Sequence, residues 1–298
     1  MEACSRVVNP PFDRFDLSAT QWRTANALAL AHASNLAYEN DPGKILRQLQ
    51  DWGFPAAGCR VFSENTAQVL AAANAEMIIV AFRGTQPDQL ADWLVDAEIT
   101  QNSWRNYFGG PDLGRVHHGF VRNTSFVWEQ LSQFVAGART NRQSLWITGH
   151  SLGGAMTLIA GAAFVFAEHQ TVHGIYTFGQ PRTGNRAFAA RCNRRFSAVI
   201  LRVVNNEDIV PHVPPMFVLL LIIPIFYRHA GELLHFDAAG RLHTNLALWW
   251  RTALRFVGTR RRMVKRLRTA PAGFGPLSDH SLAAYIKKLQ AWLDAGNP

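Results

Sequence analysis

The run "LWITGHSLGGAM", residues 145–156, is the feature that most restricts how this chain can fold. "SLWIT" (144–148) reads as a buried strand, and "GGAMTLIAGAAFVFAEH" (153–169) reads as a long apolar helix directly after it. Very few residues remain to join them, so strand must pass to helix through one sharp turn with Ser151 at its apex. Glycines at 149 and 153 permit a turn that side chains would block. Ser151 is then held in a strained backbone conformation with its Oγ projecting above the sheet. The other reading is a glycine-rich helix start with a buried, idle serine; the flanking strand and helix favour a nucleophile. The start of the new helix places the backbone N–H of Leu152 where an oxyanion would form.

The rest of the chain supplies the sheet. Met77–Phe82, "HGIYTFG" and "SAVILRVVN" are further buried strands, each ending in a turn or polar loop. Residues 18–38 read as a helix with Ser18 or Thr20 near its N-cap, and "PGKILRQLQDWG" as a shorter one stopped by Gly53. Strands alternating with helices predict an α/β fold, with a mostly parallel central sheet and helices on both faces. A chain of 298 residues with 48% hydrophobic and 17% charged content builds a packed core and is not disordered. No internal repeat or low-complexity linker divides it, so residues 1–298 are read as one domain. Cys4, Cys59 and Cys192 are far apart and show neither a disulfide framework nor metal-ligand spacing.

A serine nucleophile needs a base and an orienting acid, which in such folds follow in the order acid, then histidine. The loop "NNEDIVPHVP" offers Glu207 and Asp208 at the C-terminal end of its strand, the edge where active groups collect in open α/β sheets. Asp208 is the better choice, and Glu207 suits a surface acid capping a turn. The candidate bases are His212, His229, His235, His243 and His280. His212 shares the acid's loop and is too close to swing over the turn. His280 runs straight into a terminal amphipathic helix that would anchor it, as a positioned base requires; His235 is the reserve. Thr85, after "IIVAFRG", can supply a second oxyanion donor. These residues act without a cofactor, and no metal-binding set is visible.

The blocks "IIVAFRGT", "VHHGF", "ITGHSLGGA", "YTFGQPRTGN", "VVNNEDIVPHVPP", "YRHAGELLHF" and "DHSLAAYI" follow one another over roughly residues 77–286. In this order they resemble the class 3 (fungal-type) lipases of the α/β-hydrolase fold. The resemblance implies a triad of Ser151, Asp208 and His280, and an oxyanion hole from the amides of Thr85 and Leu152. It places His117 or His118 near the site in a supporting role. It also implies a lid at about 86–100, where Leu90, Trp93, Leu94 and Ala97 share one face of a short helix. Such a face can cover the site in water and turn outward at a lipid surface; the alternative is a helix packed permanently on the core. The activity implied is hydrolysis of carboxylic esters of lipids by a triacylglycerol lipase or esterase through an acyl-enzyme. Phospholipase A-type activity on membrane glycerolipids is the alternative, and a non-catalytic membrane-binding protein a more distant one. Secreted fungal members carry disulfides and leader peptides, and this chain shows neither. A cytoplasmic or peripheral-membrane location is the expectation, with secretion open if a leader was removed.

Two segments exceed a minimal core. "PPMFVLLLIIPIFY" (214–227) is too short for a membrane-spanning helix of about 20 residues, and three roles are open. It can be a buried element, line an acyl pocket, or dip into a bilayer surface. The second is an insertion at about 240–275. The net charge is +9, and nine Lys and Arg residues fall between Asp237 and Asp279 with no acid among them. On a helical wheel over 246–267, Leu246, Trp249, Trp250, Phe256, Val264 and Leu267 share a face opposite Arg251, Arg255, Arg262, Lys265 and Arg266. A helix of that kind fits an anionic membrane interface, or lies on the core with solvated arginines. No nucleic-acid fold or aromatic platform accompanies the charge, so the expected partners are a lipid ester and an anionic lipid surface, not nucleic acid.

Overall fold

The computed structural model describes residues 11–90, 92, 99–140, 142–220, 223–244 and 275–297. In chain order these form α1 (Thr24–Leu36), α2 (Pro42–Asp51), β1 (Cys59–Glu64), β2 (Ala67–Ala73), β3 (Met77–Phe82), β4 (Gln101–Ser103) and β5 (Arg115–His117). There follow α3 (His118–Ala138), β6 (Ser144–His150), α4 (Leu152–Phe166), β7 (Gly174–Phe178), α5 (Arg186–Phe196) and β8 (Ile200–Asn205). The chain continues through β9 (Phe217–Leu220), β10 (Ile223–Phe226), β11 (Glu232–Phe236) and β12 (Leu242–His243). A short helical turn, Gly275–Ser278, leads to α6 (Leu282–Asp294). Trp93, Leu94 and Ala97 of the expected lid, and the basic 246–267 segment, lie outside the described residues.

The main sheet has the order β1-β2-β3-β6-β7-β8-β11-β12. Its five central strands, β3, β6, β7, β8 and β11, run parallel, while β1–β2, β2–β3 and β11–β12 pair antiparallel. Alternation divides each strand between two cores. Ile78, Val80, Phe82, Leu145, Ile147 and Ile175 pack with Val127 and Leu131 of α3 and Leu158 and Ile159 of α4. Met77, Ile79, Trp146, Tyr176, Leu201 and Val203 pack on the other side with Ala27 and Leu30 of α1 and Tyr285 and Leu289 of α6. With helices on both faces neither side of a central strand meets water, which is why β3, β6 and β7 are buried along their whole length.

α1 begins at Thr24, later than the Ser18 or Thr20 expected. The Asp16 carboxylate accepts both the backbone N–H and the hydroxyl of Ser18, while Asn26 exchanges hydrogen bonds with the Asp16 backbone. These bonds hold residues 16–18 in a turn outside the helix and spend the serine that resembled a cap. α3 and the β1–β2 hairpin are additions to the elements read from sequence. Cys59 and Cys192 are buried free thiols.

Trp146 is 1% exposed, meets Phe15 edge-on at 4.9 Å and donates from Nε1 to Ser144 Oγ at 2.9 Å. Trp146→Ala is expected to cost about 3–5 kcal/mol in urea unfolding, since a cavity is left between sheet and helices. A loss below about 1 kcal/mol would place this face outside the core.

Candidate active site

β6 must hand the chain to α4 with the helix already pressed against β3. A Cβ added at Gly153 would lie 2.3 Å from the Phe82 carbonyl oxygen, so the first turn of α4 reaches its place only with glycine there. The cost of the turn falls on Ser151, which adopts φ 58° and ψ −129°, a conformation non-glycine residues rarely take. Two backbone bonds of 2.9 Å hold it, Ser151 N–H to Phe178 O and Gly154 N–H to Ser151 O. Its Oγ is buried and without a hydrogen-bond partner.

Asp208 lies three residues past the end of β8 and is fully buried. Its Oδ1 and Oδ2 are 3.0 and 2.9 Å from His280 Nδ1; Tyr285 donates its O–H to Oδ2, and the Val210 N–H donates to Oδ1. Burial raises the carboxyl pKa, but the facing His280 and these hydrogen bonds outweigh it and hold the pKa below the usual value. Because a carboxylate only accepts, His280 Nδ1 donates to Asp208, and Nε2 is the ring nitrogen that this bond does not use. His280 Nε2 is buried and has no hydrogen-bond partner. Gly179 closes the back of the pair: with φ +58°, a Cβ there would sit 2.7 Å from Asp208 Oδ2 and from His280 Nδ1.

His150, which directly precedes Ser151, connects these parts. Its ring lies 4.4 Å from that of His280, and its Nε2 is 2.7 Å from the His280 carbonyl oxygen. Because a carbonyl only accepts, Nε2 carries the proton. Burial, then the neighbouring His280, lower its pKa to about 3, so the ring is neutral and Nδ1 accepts from Tyr38 O–H at 2.8 Å. Tyr38 in turn meets the backbone of Gly84, next to Thr85. Tyr38, His150 and Tyr285 thus brace the Asp208–His280 pair and the Thr85 loop, and no local sequence signal marks them.

The other candidates have other settings. Glu207 points its backbone N–H at Asp279 Oδ2. His229 bonds the Pro211 carbonyl, His235 on β11 bonds the Asn206 carbonyl, and His243 pairs with Asp237. His212 shares the Asp208 loop, and its carbonyl accepts from buried Arg182. His117 stacks on Phe120 at 3.9 Å, and His118 bonds Asn102. Leu152 opens α4, and Thr85 lies three residues past β3. Thr85, Tyr38, Leu90, Leu277 and His280 line a cavity of about 350 Å³. Leu90 is buried against Ile209, Val210 and Val213 of the Asp208 loop. Among the described residues no cluster of His, Cys, Asp or Glu could hold a metal ion.

A parallel sheet with antiparallel edges, flanked by helices and carrying a strained serine between β6 and α4, defines an α/β-hydrolase fold. Solved structures of lipase II from Rhizopus niveus and of a Rhizomucor miehei lipase–propeptide complex share it. Their TM-scores are both 0.55 at 23% and 24% identity, covering 73% and 72% of this chain and 83% and 68% of theirs. The family described as Lipase (class 3) matches residues 79–218 of this chain. Its relatives include the triacylglycerol lipase OBL1 of Arabidopsis thaliana, 27% identical over 209 residues, 55% of this chain and 38% of that protein. A lipase of Rhizomucor miehei is 32% identical over 176 residues, 57% of this chain and 44% of that protein. The chain therefore spans about two fifths of the length of these relatives.

The buried histidines set the acid limit of the fold. His150 has a pKa of about 3 and His212 of about 4, both lowered chiefly by burial. Unfolding returns each to about 6.5, so between these values the unfolded chain binds more protons and stability falls as pH falls. The unfolding free energy is expected to decline from about pH 6.5 downward, with the depressed carboxyl of Asp208 adding to the decline below about pH 4. Urea titrations across this range check it; a flat profile would contradict neutral buried rings.

Proposed function

We propose that this chain is a serine hydrolase that cleaves carboxylic ester bonds of lipids, in the manner of a triacylglycerol lipase or esterase. The observation that carries the reading is a strained Ser151 next to His150, whose ring lies 4.4 Å from His280 of the buried Asp208–His280 pair, with Ser151 Oγ and His280 Nε2 both without a hydrogen-bond partner. His280 Nε2 takes the Ser151 proton as Oγ attacks the ester carbonyl, and Asp208 stabilises the resulting imidazolium. The oxyanion rests on the N–H groups of Thr85 and Leu152, each worth roughly 3 kcal/mol of transition-state stabilisation. His280 then protonates the departing alkoxide, and a water molecule, deprotonated by the same nitrogen, frees the acyl group from Ser151.

Every proton in this cycle moves among Ser151, His280, water and substrate, so the chemistry calls for no cofactor. The match to the class 3 lipase family and the name of the Arabidopsis relative support a lipid ester as substrate. Residues 86–100 serve as the lid and 1–298 as one hydrolase domain. Leu90, packed on the Asp208 loop and lining the cavity, supports a segment that covers the site. The +9 charge supports contact with an anionic lipid surface.

Ser151→Ala is expected to lower turnover of a soluble p-nitrophenyl ester by on the order of 10³-fold or more, with an unchanged unfolding curve. Asp208→Asn should fall by a similar factor, because the imidazole loses its tautomer. Wild-type turnover by folded Ser151→Ala would overturn the assignment.

A further inference from the structure

β9 and β10 form a two-stranded hairpin outside the main sheet, with Phe217 opposite Phe226 and Leu220 opposite Ile223. From Met216 to Tyr227 the sequence contains no charged residue and, apart from the tyrosine hydroxyl, no polar side chain. A buried hairpin would need nothing more, but the end of β10 is open. On β10, Pro224 is exposed, Ile225 half-buried and Phe226 42% exposed. Successive strand residues face opposite sides, so the strand is accessible from both. Among the described residues Phe226 is the large hydrophobic side chain that stands exposed.

The base of the hairpin is firmly rooted. Tyr227 is buried, pairs its N–H with the Met216 carbonyl at 3.0 Å and donates its hydroxyl to the Ile99 carbonyl at 2.9 Å. Gln101 Nε2 donates to the Phe226 carbonyl at 2.9 Å, and Arg228 N–H to the Gly184 carbonyl at 2.8 Å. On the incoming side, buried Arg182 donates to the Pro214 carbonyl at 2.7 Å. The root therefore joins the end of the 86–100 segment to the loop that carries Asp208. An apolar hairpin is thus anchored next to the loop that carries Asp208.

We propose that the β9–β10 hairpin docks the protein on an anionic phospholipid bilayer, with Phe226 and its neighbours seated in the interface. Length decides the depth. Four residues per strand reach roughly 14 Å, short of the ~9–11-residue strands that cross a bilayer and suited to interfacial burial of ~5–10 Å. Charge decides the lipid. The hairpin is neutral, but it belongs to a chain of net charge +9, which is drawn to a negatively charged surface. This extends the lipid-hydrolase reading, yet its test needs no hydrolysis.

The test is sedimentation of the Ser151→Ala chain with vesicles of mixed phosphatidylcholine and phosphatidylglycerol. Adding Phe226→Asp is expected to weaken binding at least about tenfold, as loss of a buried aromatic side chain requires. Phe226→Trp should bind at least as tightly as the parent, with added fluorescence that brominated acyl chains quench. With Ser151 restored, both variants should hydrolyse a soluble short-chain ester at the wild-type rate, which shows them folded and separates docking from chemistry. Equal binding by Phe226→Asp, no binding by the parent, or added fluorescence in Phe226→Trp that brominated lipid leaves untouched would overturn the proposal. Equal parent binding to phosphatidylcholine alone would overturn its anionic part. A change in self-association on size exclusion, with vesicle binding unaltered, would assign the hairpin to a second copy of the chain.

Discussion

Ser151 occupies the left-handed region of backbone space because α4 starts hard against β3, and the rest of the molecule holds it there. A residue in such a conformation costs on the order of 1–3 kcal/mol and persists only where its surroundings leave no alternative. Here the surroundings are β6 buried between two helical layers, the Phe82 carbonyl facing Gly153, and the bond from Ser151 N–H to Phe178 O. Relaxing the turn would mean separating α4 from the sheet, which would expose a helix that is almost entirely apolar. The strain is maintained by the hydrophobic core.

The same logic governs Asp208 and His280. Taking Asp208 fully out of water would protonate it, were it not for His280, the Tyr285 hydroxyl and the Val210 N–H. A buried ionised carboxylate is thereby aimed at one nitrogen of one histidine. Tyr285 lies on α6 and His280 just before it, so the docking of a helix on the sheet sets the distance between Asp208 and His280. His150 closes the frame by donating to the His280 carbonyl and accepting from Tyr38.

These braces explain what could be read from the chain and what could not. β3 is legible to the residue, Met77–Phe82, because a strand covered on both faces is an unbroken apolar run with polar ends. The order of serine, aspartate and histidine is legible for a related reason: Ser151 and Asp208 each follow a parallel strand, β6 and β8, and His280 lies just before the terminal amphipathic helix. Tyr38, His150 and Tyr285 leave no such trace. Their bonds join residues 112, 130 and 77 positions apart, and no periodicity records a contact of that range. The start of α1 was misleading for a local reason, since Ser18 serves a turn with Asp16 before it can serve a helix. The apolar 214–227 run reads equally as core or surface, and only the exposure of Pro224 and Phe226 distinguishes them.

A p-nitrophenyl alkylphosphonate, which traps a serine at the stage of attack, reads out whether this fold activates Ser151 above other nucleophiles in the chain. We expect release of one p-nitrophenol per chain and a phosphonyl adduct on Ser151, located by mass spectrometry of the peptide spanning β6 and α4. Failure of the folded protein to react, or an adduct on any other residue, would contradict that activation.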